Sequence, residues 1–575
     1  MVERALSVLA LLVIVVGSVM LFAGARVVGI STDEHIQMAD LGELRWAANP
    51  DQPRHFGVYG LSFQLLGHWV AVLFGVETWG EVAYGLASFE IRHLVVANLM
   101  LLMSFAVGTI CWFLTQKKVW ALWGAATALA IPPLVGHSFF NTKDIPVAAG
   151  YTLVTLACVA TIWLLVNPML NRRPRKFIFF AIFLATTFGI WISAGTRYLI
   201  LAPELISVFV TNFLSVALVK VSAQRFSAVF ASVRPLLLST LTGVVLVALT
   251  NPCLIAPVSN SCKSGIELLP RILSASRDYV ISYQTLALGQ IVGSTDPPFW
   301  FLPVSLVAGL PILIMFFAVI GAVFFWENWT ARPGVKGNQV SPKIYRLGLM
   351  FMGLICIFQV LTGPLAAILL RASIYDLQRQ HLYVYPALAV LSVCGCALLL
   401  QKATTLKSSK KRNVLSLRLG FALLLALLLP LVDSLRLFPY TYAYVNSVAS
   451  IDGYAAKWET DYWQTGLREA FDKIPPGAEY GAVGAYWTIG SFARARALPN
   501  TEGLRANREV FVVSPHRPSV GWTGPPPACD LAGTVLRNLR GHEVPMAYVS
   551  KCSERDIDEG RVSGFVTSEE IRGHF

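Results

Sequence analysis

Apolar segments long enough to cross a bilayer as a helix, about 17 to 25 residues each, recur along the whole chain. Short polar connections separate them. We therefore predict a polytopic α-helical membrane protein of about eleven transmembrane helices, near 5–28, 94–115, 119–136, 146–166, 177–194, 198–219, 235–252, 303–325, 347–370, 382–400 and 414–432.

Basic residues concentrate in alternate connections, and basic loops remain on the cytoplasmic side of a membrane. This alternation predicts a cytoplasmic N-terminus and an extracytoplasmic C-terminus. The basic connections are 117–118, 172–176, 220–234, 332–346 and 402–418. The outer connections are then 29–93, 137–145, 195–197, 253–302 and 371–381.

Composition supports the membrane assignment. Of the 575 residues, 55% are hydrophobic and 14% are charged, and the mean hydropathy is +0.60, whereas a soluble chain has about 25% charged residues. The net charge of +13 does not indicate a nucleic-acid partner, because the basic residues are spread over separate loops.

Two stretches outside the spans have their own organisation. The apolar run 63–74 in the first outer loop is too short to span, so we expect it to lie in the membrane interface. From about residue 433, charges, Pro and Gly increase, with a predicted helix at 462–473 and predicted strands at 479–492 and 509–513. We predict a transmembrane core at 1–432 and an extracytoplasmic α/β domain at 433–575.

The cysteines agree with this division. Five lie in apolar spans, where we expect buried thiols. Cys253 with Cys262, and Cys529 with Cys552, lie in outer segments, where disulfides can persist. No cysteine or histidine spacing resembles a zinc site.

Two acidic stretches are the main candidates for chemistry. Asp33 and Glu34 follow the first span directly, and carboxylates at this border are either solvated or functional. They could begin an ordinary polar loop. They could also act as a general base for an acceptor hydroxyl, or hold a divalent cation.

The second stretch, 137–146, reads HSFFNTKDIP and lies between the third and fourth spans. Asp144 could cap the following helix, or share a cation with the first loop. Lys143 is a candidate phosphate contact, and His137 and Asn141 are candidate polar partners.

Cationic residues in other outer connections could bind a phosphate. Arg197 interrupts an apolar stretch, and Arg379 and His381 lie between two later spans. A turn role for Arg197 and interfacial anchoring for the later pair are the alternatives. Asp296 and Asp461 stand beside aromatic residues, a combination that suits a sugar ring. Structural roles at the interface or as helix caps are favoured over sugar binding.

The order of these motifs resembles the family 39-like membrane glycosyltransferases of the GT-C superfamily, relatives of protein O-mannosyltransferases and of the lipid A aminoarabinose transferase. The elements that carry the resemblance run from about residue 5 to 475. They are the acidic pair, the 137–146 loop, Gly-Thr-Arg at 195–197, TDPPFWFLP at 295–303, YDLQRQHLYVYP at 375–386, FPY at 438–440 and DYW at 461–463.

The resemblance implies a GT-C core in a bacterial plasma membrane and a sugar donor on polyprenyl phosphate. It implies an inverting transfer to an extracytoplasmic glycan, lipid or protein acceptor. Asp33 then corresponds to the catalytic base, with Glu34 beside it, and Asp144 to its metal-binding or positioning partner. Mg²⁺ or Mn²⁺ held by Asp33 and Asp144 is an expectation, and no nucleotide cofactor is expected.

Gln380 separates Arg379 from His381, whereas the family pattern has Arg and His together, so either residue could contact the donor phosphate. Two alternatives to an enzyme remain. One is a transporter or flippase for a lipid-linked sugar, although no internal repeat is present. The other is an inactive, glycan-binding scaffold of the same fold.

Overall fold

The computed structural model describes residues 2–35, 37, 59–76, 85–167, 172–222, 226–251, 254, 283–328, 342–451, 453–484, 488–489, 509–568 and 570. Helices dominate up to residue 437. They are α1 (Val2–Val27), α2 (Ser62–Leu73), α3 (Leu86–Thr115), α4 (Lys118–Leu129), α5 (Pro132–His137), α6 (Asp144–Val166), α7 (Arg172–Ala194), α8 (Leu201–Ser222), α9 (Phe226–Thr250), α10 (Phe301–Ala308), α11 (Ile312–Asn328), α12 (Pro342–Leu369), α13 (Val384–Thr404) and α14 (Ser409–Leu437).

Within the described residues, nine of these helices are long and apolar enough to cross a membrane singly, and they correspond to nine of the eleven predicted spans. The other two predicted spans are interrupted. The 119–136 segment divides into α4 and α5 at Pro132-Pro133, because proline cannot donate the backbone hydrogen bond that continues a helix. The 303–325 segment is the pair α10 and α11, bent by 114°.

Large apolar side chains cover the outside of the bundle. Phe177, Phe209, Phe213 and Leu241 are each more than half exposed. Helix surfaces of this kind are stable against lipid rather than water. The chain is therefore an integral membrane protein.

The connections predicted to share one side contact one another. The amide of Gly60 donates to the carbonyl of Thr196 at 3.0 Å, and Arg197 donates to the carbonyl of Gln380 at 3.0 Å. At the other end of the bundle, Lys117 pairs with Glu3 at 2.6 Å. The outer loops thus meet at one end, while the side of the membrane that this end faces stays a prediction.

The first outer loop contains α2, which is the short apolar segment predicted for the interface. Trp69, Leu73 and Phe74 are exposed on it, and Trp69 stacks on Trp191 of α7. Much of the remainder of this loop lies outside the described residues.

The segment after α14 carries α15 (Leu467–Asp472), α16 (Glu554–Asp558) and a five-stranded mixed sheet. The strands are β3 (Tyr480–Val483), β4 (Glu509–Pro515), β5 (Asp530–Leu539), β6 (His542–Ser553) and β7 (Phe565–Thr567), in the order β5-β6-β4-β3-β7. Only β3 and β4 pair in parallel among these described strands. A separate hairpin, β1 (Gln284–Ala287) and β2 (Gln290–Gly293), lies in the outer loop before α10.

An ion pair joins the sheet to the last membrane helix. Arg540, just after β5, lies 3.2 Å from Asp433 in the last turns of α14. The boundary predicted between 432 and 433 falls inside this helix, which ends at Leu437. The predicted Cys529–Cys552 disulfide is confirmed, as is the burial of the five thiols in the spans. The predicted Cys253–Cys262 pair lies outside the described residues.

Candidate active site

One guanidinium group connects the two acidic stretches. Nη1 of Arg379 lies 3.3 Å from Oδ2 of Asp33 and 3.9 Å from Oδ2 of Asp144. The Lys143 ammonium lies 3.2 Å from the same oxygen of Asp33. Because both carboxylates contact one nitrogen atom, they lie within the about 10 Å that separates carboxylates flanking a reacting sugar.

Asp33 is held against the bundle by the chain after α14. The amide of Thr32 donates to the carbonyl of Trp463 at 3.3 Å. A side chain at Gly29 would collide with the carbonyl oxygen of Thr465, so glycine allows the two backbones to approach this closely. The carboxylate itself retains some solvent access, with 17% of its side chain exposed.

The second loop orients Asp144 through Asn141. Oδ1 of the Asn141 side chain accepts from the backbone amide of Asp144 at 2.8 Å, and Nδ2 of the same side chain donates to Oδ2 of Asp144 at 2.9 Å. The same nitrogen lies 2.9 Å from Nδ1 of His137, whose Nε2 is 3.1 Å from the Tyr462 hydroxyl. Nδ1 therefore acts as an acceptor, and the proton assigned to Nε2 faces Tyr462.

The third loop places Arg379 between two aromatic rings. Its guanidinium carbon lies 4.6 Å from the ring centre of Tyr375 and 4.3 Å from that of Trp463. Its Nε is 3.2 Å from Oδ2 of Asp376. Stacking and ion pairing together fix the planar guanidinium. A lysine, whose ammonium is not planar, could not make the same stacked contacts.

The surroundings of Asp33, His137 and His381 change the pKa of each side chain. Burial raises the pKa of the Asp33 carboxyl, but the neighbouring Lys143 and Arg379 outweigh burial and hold this pKa below its ordinary value. Burial, with Arg379 nearby, lowers the pKa of His137 well below its ordinary range. Burial, with Arg197 nearby, lowers the pKa of His381 to about 3. Asp33 is thus ionised at neutral pH and both histidines are neutral.

A cavity of about 680 Å³ adjoins this cluster. Its walls are mainly apolar residues at the start of α8 and just before it, and at the end of α12 and just after it. Arg197, Arg371 and His381 also line it. Tyr59 and Tyr375 line the cavity as well, and their rings contact Lys143 and Arg379 respectively. The charged cluster therefore lies beside an apolar cavity and contacts two of the rings that line it.

The predicted site residues fall into three groups. Asp33, Lys143, Asp144 and Arg379 meet directly, while His137 and Asn141 support Asp144. Arg197 and His381 line the cavity. Glu34 lies apart from these groups, since its carboxylate contacts Nε2 of His93 at 2.7 Å and accepts from the amide of Ser31.

Several residues of the site were not predicted from the sequence. Tyr59, Tyr375 and Trp463 contact the cationic groups through their rings. Asp376 pairs with Arg379 and also with Arg517 from the C-terminal sheet region. Tyr375, Asp376 and Trp463 stand within recognised motifs, whereas Arg517 has no distinguishing sequence signal.

The donor set between the acids does not fit a divalent metal. Within the described residues, no three His, Cys, Asp or Glu side chains come together as a set of metal ligands. The groups between Asp33 and Asp144 are the cations of Arg379 and Lys143. A further cation there would be repelled by both.

Comparisons with known proteins place the chain near two solved structures. No family model matches the sequence, and no curated protein matches it. ArnT from Cupriavidus metallidurans, bound to undecaprenyl phosphate, aligns with a TM-score of 0.42 and 12% identity over 94% of this chain and 97% of its own. The archaeal oligosaccharyltransferase AglB from Archaeoglobus fulgidus, in complex with an inhibitory peptide and a dolichol-phosphate, aligns with a TM-score of 0.44 and 13% identity over 88% of this chain and 69% of its own. We infer the function from the site itself.

Proposed function

We propose that this chain is a membrane glycosyltransferase that moves a sugar from a polyprenyl-phosphate donor to an extracytoplasmic acceptor. The supporting observation is the guanidinium of Arg379 between two carboxylates, Asp33 and Asp144, beside an apolar cavity whose lining residue Tyr375 it contacts. The apolar walls suit an isoprenoid chain, and the cationic end suits a phosphate. The type of sugar is left open.

The donor phosphate would contact the cationic end of the cavity. Arg197 and Arg371 line it, and Nδ1 of His381, which is buried there, has no hydrogen-bond partner within the part of the chain that the structure describes. A neutral histidine can donate one hydrogen bond to a phosphate oxygen. Lys143 and Arg379 would then stabilise the negative charge that develops on the leaving phosphate.

Asp33 would serve as the base for the acceptor. The acceptor oxygen forms a bond to the anomeric carbon as the bond from this carbon to the phosphate oxygen breaks, and the acceptor proton passes to Asp33. The electron pair of the broken bond remains on polyprenyl phosphate. A single displacement of this kind inverts the anomeric centre. A bound phosphate also competes with Asp33 for Lys143 and Arg379, which makes the carboxylate more basic when the donor is present.

The test uses the full chain in lipid nanodiscs with a panel of polyprenyl-phosphate hexoses and pentoses. Acceptors come from an envelope extract, and transfer is followed by mass spectrometry. We expect Asp33→Asn to reduce the rate by about 10²- to 10⁴-fold, since the base is lost, while the protein still folds. Asp296→Asn, which removes an exposed acid outside the cluster, is the matched control. Near-normal turnover by Asp33→Asn would overturn the assignment of the base.

The proposal also predicts the effect of removing metal. Because Arg379 and Lys143 supply positive charge beside both acids, we expect the same transfer rate in excess EDTA as in Mg²⁺ or Mn²⁺. Loss of activity in EDTA, with recovery on adding one divalent ion, would instead support the metal expected from the sequence.

The same assay separates the alternatives. A flippase would move the labelled lipid between leaflets of a proteoliposome without forming a glycosylated product. A glycan-binding scaffold would retain glycan with no turnover, and its binding would be insensitive to Asp33→Asn. Product formation that depends on Asp33 contradicts both.

A further inference from the structure

The C-terminal sheet region contributes a charge to the candidate site. Nη2 of Arg517, just after β4, lies 3.1 Å from Oδ1 of Asp376. The other oxygen of Asp376 lies 3.2 Å from Nε of Arg379. All three side chains are less than 10% exposed. A buried series of ion pairs therefore runs from Arg517 through Asp376 and Arg379 to Asp33.

The fold of the sheet region fixes the position of Arg517. Its amide donates to the carbonyl of Trp522 at 2.7 Å, and the amide of Trp522 donates back at 3.1 Å. The preceding residue, His516, donates from its amide to Met546 in β6 at 2.8 Å. Nη1 of Arg517 donates to the carbonyl of Tyr462 at 3.4 Å. The guanidinium thus reaches Asp376 from a backbone that is itself held by the sheet.

The loop that receives Arg517 is in a costly backbone conformation. Asp376 and Leu377 have φ angles of 53° and 61°, in the left-handed region. Such a conformation is unfavourable for a non-glycine residue and persists only where surrounding contacts enforce it. The contacts of Asp376 include a hydrogen bond from its amide to the Thr285 hydroxyl at 2.8 Å, and its two arginine pairs.

The buried negative charge of Asp376 is balanced by Arg379 and Arg517. Burial raises the pKa of this carboxyl, and Arg517 and Arg379 oppose that effect. Removing one partner of a buried pair leaves an uncompensated charge, which is strongly destabilising. Without Arg517, the loop therefore loses one of the contacts that maintain its two left-handed residues. Arg379 belongs to the same loop, so its position depends on these contacts.

We propose that Arg517 is a positioning residue of the active site, which acts through Asp376 to keep Arg379 between Asp33 and Asp144. This inference rests on the proposed glycosyl transfer for its kinetic effect, although its structural basis is independent of the reaction catalysed. The C-terminal sheet region is then a structural part of the catalytic centre.

Variants of Arg517 test the kinetic effect. With the full chain in nanodiscs, we expect Arg517→Gln to lower kcat by about tenfold or more, because a small misplacement of a catalytic group has an effect of this size. Arg517→Lys retains the charge and should recover part of the rate. Arg540→Gln breaks another ion pair between the sheet region and the membrane helices, the pair with Asp433. We expect it to leave kcat within about threefold of wild type.

A double-variant cycle tests whether Arg517 acts through Asp376. If it does, Arg517→Gln has little further effect in an Asp376→Asn background, because coupled residues are not additive. An equal effect of Arg517→Gln in both backgrounds would overturn the proposed route. A wild-type kcat in Arg517→Gln would overturn the positioning role.

Hydrogen exchange gives a readout that does not require activity. We expect the amides of 374–382 to exchange faster in Arg517→Gln than in wild type or Arg540→Gln, since a contact that holds this loop is lost. Unchanged exchange at 374–382 would overturn the inference. Should the wild-type chain transfer no sugar, the proposed function fails, and the exchange measurement still decides the role of Arg517.

Discussion

Arg379 donates a hydrogen bond to the carboxylate of Asp33 at 3.3 Å, although 346 residues separate the two positions. The same nitrogen lies 3.9 Å from Asp144. The contact therefore joins three outer loops at one point. Arg379 is the cation that both acids share.

Substitution of Arg379 tests the importance of this contact. We expect Arg379→Gln to lower the transfer rate by about 10²- to 10³-fold, the usual effect of removing one group that stabilises developing negative charge. Arg379→Lys should recover only a small part, because an ammonium cannot stack between Tyr375 and Trp463 while reaching two carboxylates. Steady-state rates with a fixed donor would measure both. Arg555→Gln, at a site 76% exposed, is the control. Full activity of Arg379→Lys would show that charge alone is sufficient.

The pH dependence of transfer reports the surroundings of Asp33. Lys143 and Arg379 hold its pKa below the ordinary 3.8 against the effect of burial, so wild type retains an ionised base throughout the range above 4. Lys143→Gln removes one of the two cations, which raises this pKa and shifts the acidic limb of kcat/KM to higher pH. The shift is measured by comparing the two profiles between pH 4.5 and 8.

Neither His137 nor His381 should produce a pH-dependent limb in the same kcat/KM profiles. His381 has a pKa lowered to about 3, and the pKa of His137 is also lowered well below its ordinary range. Neither gains a proton near pH 6.5, so neither changes charge in the measured window. A limb near pH 6.5 that disappears in His137→Gln or His381→Gln would contradict these assignments.

The sequence predicts the membrane helices well because their signal is local. A run of apolar residues has the same meaning wherever it occurs, so nine spans are found as single helices. The interruptions of the other two depend on more than hydrophobicity. Pro132-Pro133 could have indicated the break between α4 and α5, and Gly309 and Pro311 the break between α10 and α11. Only the bend of 114° at the second break requires the three-dimensional structure.

The site was predictable only in part. The Lys143-Asp144 and Arg379 motifs identified three of the four residues that meet, and Asp33 completed the set. The sequence does not show that Arg517 belongs with them, since 141 positions separate it from Asp376 and no pattern connects them. Long-range ion pairs follow from tertiary packing alone.

The different contacts of Asp33 and Glu34 follow from helix geometry. Residues 32–35 form a helical turn, where consecutive side chains point in different directions. Asp33 faces Lys143 and Arg379, and Glu34 faces His93 of α3. An acidic pair at a helical turn should therefore not be taken as two ligands of one site.

Glu34 should accordingly contribute to stability and not to turnover. Its carboxylate is 2% exposed, lies 2.7 Å from His93 and accepts from the amide of Ser31 at 2.7 Å. Replacing a buried charged partner by a neutral one costs about 1 to 3 kcal/mol. We expect Glu34→Gln to lower the melting temperature in nanodiscs while the rate per folded molecule stays within about threefold of wild type. His93→Gln should have a similar effect, and the double variant should be little worse than either single one, because the two residues share one contact. The opposite pattern, with normal melting and a rate as low as that of Asp33→Asn, would place Glu34 in the catalytic machinery.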